Sequence, residues 1–67
     1  MIQVDTRGLS CPQPIVLVNM EIKKGTKEFE ILLDSQASIE NVARLLNKHK
    51  LSFETIQKAD HTIYHVK

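Results

Sequence analysis

Both prolines and the only cysteine of this chain fall in one tetrapeptide, Cys11-Pro12-Gln13-Pro14. Proline fixes its own φ, lacks an N–H and pushes the preceding residue toward extended backbone. Two prolines so close therefore mark a change of regular structure, and the rest of the chain is free of that constraint. Before them, Ile2-Gln3-Val4-Asp5-Thr6 alternates apolar and polar residues, the pattern of a short half-buried strand. Gly8 permits a turn. After them, Ile15 to Lys24 is strongly apolar without a breaker. It is expected to form a helix whose core stripe is Ile15, Val18 and Ile22. The β-branched Val16 and Val18 make a buried strand the competing reading.

The rest of the chain extends this alternation. Lys23-Lys24-Gly25 has the cations and glycine of a helix C-terminus. Phe29 to Leu33 is apolar enough for a central strand. Ser35 or Ser38 can cap the helix that follows, in which Ile39, Val42, Ala43 and Leu46 recur at helical spacing. Glu40, Asn41, Arg44 and Lys48 take its wet side. Leu51 to Ile56 alternates as a third strand, Ala59-Asp60-His61 suits a tight turn, and Thr62 to Val66 is a fourth strand. The order is βαβαββ. Right-handed crossover places both helices on one face of the sheet. The expected fold class is a two-layer α/β sandwich with a four-stranded mixed sheet and an open sheet face. That face is either a docking surface or a polar wall, and Gln3 and Asp5 favour the wall.

Sixty-seven residues suffice for one domain. Such a chain buries only about 60% of its unfolded surface, so its core is small. Nine basic against eight acidic residues give a formal charge of +1, which does not describe a strong phosphate-binding surface. No apolar run is long enough to span a bilayer, so no membrane partner is expected. The start Met-Ile-Gln-Val-Asp has neither the basic nor the apolar region of a secretory leader. A single cysteine fits a reducing, cytoplasmic setting.

Cys11 is the chemical candidate. A free cysteine near neutral pH is mostly thiol, and the thiolate is the nucleophile. Pro12 suits the first position of a helix, which makes Cys11 the N-cap. There the unpaired N–H groups of Gln13 and Ile15 and the helix dipole favour a thiolate. Gln13, preceding Pro14, sits less easily in helical geometry. Arg7 adds positive charge if the Gly8 turn folds it back. The competing reading is a small buried hydrophobe, as lone cysteines commonly are. The polar neighbours Ser10 and Gln13 argue for exposure.

The run from Asp5 to Pro14 resembles the signature of the TusA/SirA/YedF-like family of small sulfur-handling proteins, Asp-x-Arg-Gly-Leu-x-Cys-Pro-x-Pro. Every fixed position is present. Leu33-Asp34, Ala37 and Glu40-Asn41-Val42 are similar to the YedF-like branch, so the resemblance covers most of the chain. It implies a single TusA/SirA-like domain over residues 1–67, with the βαβαββ sandwich. It also implies sulfur relay by a carrier rather than by a stand-alone enzyme. Cys11 would accept sulfane sulfur as a persulfide from a cysteine desulfurase or rhodanese and pass it to an acceptor protein. Pro12 and Pro14 would position it, and Asp5, Arg7, Gly8 and Leu9 would shape the preceding turn. Partners would meet the shelf around Cys11 through Gln13, Val16 and Asn19. No cofactor is implied.

Two departures stand out. The first helix is about one turn shorter than is usual in the family. Asn19 stands where the tRNA-thiolation carriers are basic, which weakens the case for that pathway. YedF-like proteins also often carry a second domain, so the chain is expected to be a stand-alone carrier or one excised domain.

Other readings are a non-catalytic protein-interaction module and a redox-sensing thiol protein. His61 and His65 share a side of a strand, but only Cys11 and His49 remain as soft ligands, so no metal site is expected. Lys23, Lys24 and Lys27 form a solvated helix end or a partner contact. The fold is shared with an RNA-binding domain of a translation initiation factor. With few aromatic residues and little net charge, direct nucleic-acid binding is not expected here.

Overall fold

The computed structural model describes residues 2–9 and 13–67. The elements follow in the expected order: β1 (Ile2–Asp5), α1 (Gln13–Lys23), β2 (Phe29–Leu33), α2 (Gln36–Lys48), β3 (Phe53–Gln57) and β4 (Thr62–Val66). The sheet order is β1-β2-β4-β3. β2 pairs with β1 in parallel and with β4 antiparallel, and β3 pairs antiparallel with β4. The sheet is therefore mixed, and β2 is one of its two inner strands.

Strand periodicity divides the sheet into two faces. On one face Val4 of β1 stands in register with Ile31 of β2, and Ile31 with Tyr64 of β4. Phe29, Leu33 and Val66 share that face, and all join one buried cluster with Val18 of α1 and with Val42 and Leu46 of α2. Both helices thus cover the same side of the sheet. Tyr64 and Phe53 pack as tilted rings with centroids 4.7 Å apart. Tyr64 then extends its hydroxyl to donate to the Ile39 carbonyl of α2 at 3.2 Å.

The opposite face is a polar wall in one row only. Gln3, Glu30, His65 and Glu54 align across the four strands. Gln3 donates to Glu30 at 3.1 Å, His65 pairs with Glu28 at 2.9 Å, and Lys67 pairs with Glu54. The next row is Asp5, Leu32, Ile63 and Ile56. Leu32 is buried yet lies outside the main core cluster. The outward Gln3 and Asp5 of β1 do not represent the inner strands, where Leu32 and Ile63 stand in register with Asp5.

α1 includes Gln13 and Pro14, as a helix starting at the prolines requires, and Gln13 is helical despite preceding proline. The Pro14 ring is fully buried. α1 closes on Gly25, whose φ of +81° is the left-handed cap geometry and whose N–H reaches the Ile22 carbonyl at 3.0 Å.

α2 ends in a full Schellman motif. Lys50 N–H donates to the Asn47 carbonyl and Leu51 N–H to the Leu46 carbonyl, each at 3.0 Å. Lys50 takes the left-handed position at φ 58°. Leu51 packs against the core from this cap. For that reason β3 starts at Phe53 rather than Leu51 and runs on to Gln57.

Candidate functional site

The site begins where β1 hands the chain to a turn. Thr6 is buried, and both its N–H and its hydroxyl donate to the Leu32 carbonyl at the end of β2. Leu9 N–H then donates back to the Thr6 carbonyl at 3.2 Å, closing a four-residue turn. Gly8, third in that turn, has φ +77°. A type II turn needs positive φ there, and a side chain would strain it. This is a physical reason for the glycine of the motif.

Two carboxylates hold the amides inside the turn. Asp5 Oδ1 accepts the Arg7 N–H at 3.1 Å, and Asp34 Oδ2 accepts the Gly8 N–H at 2.8 Å. Asp5 also grips the Arg7 guanidinium twice, at Nε and Nη2, both at 3.0 Å. The fork geometry matches a carboxylate edge to edge. This hydrogen bonding holds the Asp5 carboxyl below its ordinary range and raises the Arg7 guanidinium. Arg7 also feels Asp60 and Asp34. Its charge is therefore engaged by acidic neighbours, and its relation to Cys11 lies outside the described residues.

From Leu9 the chain passes through residues 10–12 to α1. The N-cap role of Cys11, the first-position role of Pro12 and the exposure argued from Ser10 lie outside the described residues. Gln13 and Pro14 open the described helix. Pro14 has no N–H, whereas the Gln13 and Ile15 amides lie in the first turn, where no intrahelical acceptor exists.

Beside the turn, Leu9, Gln13, Val16 and Leu17 line a shallow, mainly apolar groove. Val16 is 51% exposed and Gln13 is also exposed. Asn19 is half-buried and does not line the groove. The exposed apolar residue on this side is instead Met20, also 51% exposed. The reason is helical phase: steps of three residues drift around the helix, whereas 13, 16 and 20 keep one stripe. Met20 could have been found from that spacing. Asp34 could not, because it lies 26 residues from Gly8.

The other candidates stay apart from this turn or are already paired. His61 pairs with Asp60 at 2.6 Å and His65 with Glu28. Among the described residues, no group of three or more His, Cys, Asp or Glu side chains could hold a metal ion. Lys24 pairs with Glu21 at 3.3 Å, while Lys23 and Lys27 are exposed. No described helix is long and apolar enough to cross a membrane.

No curated protein and no solved structure matches the chain. A family model described as sulfurtransferase TusA matches residues 2–67. With that match spanning both layers of the sandwich and the pinned turn, the chain belongs to the sulfurtransferase TusA family.

Proposed function

We propose that residues 1–67 act as one sulfur-carrier domain and that Cys11 is the carrier atom's residue. The observation that supports this best is the setting of the Cys-Pro-Gln-Pro run. It joins a turn whose two inner amides and closing amide are all hydrogen-bonded to a helix whose first amides lack intrahelical partners. Such a helix start favours a thiolate and a persulfide anion. Pro12 and Pro14 stiffen the join, and Pro14 is fully buried.

In the loading step, the Cys11 thiolate attacks the outer sulfur of a donor cysteine persulfide. The new S–S bond forms as the donor's S–S bond breaks, and the donor cysteine leaves as thiolate. Delivery repeats the exchange, with an acceptor nucleophile attacking the outer sulfur on Cys11. No net oxidant or cofactor is required. A cysteine desulfurase or rhodanese is the donor class, and the acceptor is a second protein. The groove of Leu9, Gln13, Val16 and Leu17 gives these partners an apolar surface beside the thiol-bearing segment. The half-buried Asn19 is a peripheral contact. A reducing cytoplasm suits a carrier with one thiol and no disulfide framework.

The test is intact mass after incubation with a cysteine desulfurase and free cysteine. Wild type is expected to gain one sulfur atom, removed by dithiothreitol, and Cys11→Ser to gain none while remaining folded. Equal loading of both proteins, or no loading of a folded wild type by desulfurase and rhodanese donors alike, would overturn the proposal.

A further inference from the structure

We propose that Asp34 is a positioning residue for sulfur transfer, acting through its hydrogen bond to the Gly8 amide. The inference rests on the carrier reading of Cys11. Among the described residues, every other hydrogen bond that shapes the turn either lies within the Asp5–Leu9 segment or ties Thr6 to the backbone of β2. Among the described residues, Asp34 is the side chain from outside this segment that hydrogen-bonds to the turn backbone, its Oδ2 accepting from Gly8 at 2.8 Å. It stands between the last residue of β2 and Ser35, the N-cap of α2. Its backbone is therefore held on both sides by regular structure.

Gly8 most needs such a restraint. Its positive φ is available without steric cost, but glycine is also free to leave it. A charged acceptor on the Gly8 N–H makes the turn a fixed platform, and the chain reaches Cys11 three residues later. Transfer between two proteins depends on the reacting sulfurs meeting in line. A displacement of about 1 Å at such a centre can cost on the order of a hundredfold in rate. A small alkylating reagent approaches from any side and is insensitive to that placement.

The experiment compares wild type, Asp34→Asn, Asp34→Ala and Asp34→Ser. It measures three rates: sulfur transfer from a persulfidated desulfurase, alkylation of Cys11 by iodoacetamide, and hydrogen exchange at the Gly8 amide. Asp34→Ala is expected to lose roughly tenfold or more in transfer. Its Gly8 exchange should rise in parallel, with alkylation within about twofold of wild type. Asp34→Asn retains an acceptor oxygen at the same distance and should restore both transfer and protection. Asp34→Ser, too short to reach the amide, should behave as Ala and serves if the Ala variant does not fold.

Transfer by folded Ala or Ser variants at the wild-type rate would overturn the proposal. So would an Asn variant that protects Gly8 yet transfers no better than Ala or Ser. Failure of wild type itself to load on Cys11, with normal alkylation and Gly8 protection, would instead overturn the carrier reading.

Discussion

At the scale of single residues, several side chains are constrained by backbone geometry more than by their own chemistry. Gly8 and Gly25 take positive φ where a turn and a helix cap demand it. Lys50 does the same work without being glycine. An L-residue in the left-handed region costs roughly 1–2 kcal/mol. Glycine returns about 0.5–1 kcal/mol of that through its freer unfolded state. Lys50→Gly is therefore expected to stabilise the protein by about 0.5–1 kcal/mol. In urea the midpoint should rise with an unchanged slope. An unchanged or lower midpoint would mean that the lysine stem stabilises the cap by contacts that outweigh the strain. The Asp5–Arg7 pair shows the opposite economy. Both side chains are about half exposed, so the pair adds little stability in water. Its effect is local: it fixes the guanidinium and one turn amide.

At the scale of elements, the α2 helix was the most legible part of the chain. Ile39, Val42, Ala43 and Leu46 give its buried stripe, and Val42 and Leu46 are fully buried. Its N-cap was narrowed to two serines by sequence and resolved by geometry. Ser35 is extended at φ −132° and ψ 148° and accepts the Ser38 N–H at 3.2 Å. Ser35→Ala should cost about 1 kcal/mol and Ser35→Gly only a few tenths, read by chemical denaturation. Ser38→Ala leaves the capping oxygen in place and should cost less than Ser35→Ala. The reverse order would show that the Ser35–Ser38 hydroxyl contact, at 2.9 Å, matters more than the cap. The ends of α2 and β3 were harder to read. Leu51 fits an alternating strand equally well, and only the closure around Lys50 assigns it to the helix end. The same limit applies at the candidate site. The motif from Asp5 to Pro14 could be read because its residues are neighbours. The clamp by Asp34 could not, because sequence periodicity carries no information on a hydrogen bond that crosses from one strand end to another.

At the scale of the whole molecule, both layers are tied together through Tyr64, and this gives the fold a defined response to pH. Four carboxylates, of which Glu21 is half-buried and the others exposed, have lowered pKa values: Asp5 through Arg7, Glu21 through Thr26, Glu54 through Lys67 and Asp60 through His61. Their ordinary values are 3.8 for Asp and 4.5 for Glu. In acid the unfolded chain binds protons first, so their contribution is intact above about pH 5 and is lost as pH falls below it. Tyr64 acts at the other end. Burial raises its pKa above the ordinary 10.0. Above pH 10 the unfolded phenol ionises while the folded one keeps its proton to donate to Ile39. Stability must then fall as pH rises from about 10 toward the folded value. Tyr64→Phe keeps the ring packing on Phe53 but removes the hydroxyl. It should cost about 1 kcal/mol at neutral pH through the lost bond to the Ile39 carbonyl. It should also flatten the alkaline limb of stability against pH while leaving the acid limb unchanged. Denaturation of the two proteins from pH 3 to 11 separates these effects. An alkaline limb of equal slope in both would show that Tyr64 is not the group that couples the helix layer to the sheet under alkaline conditions.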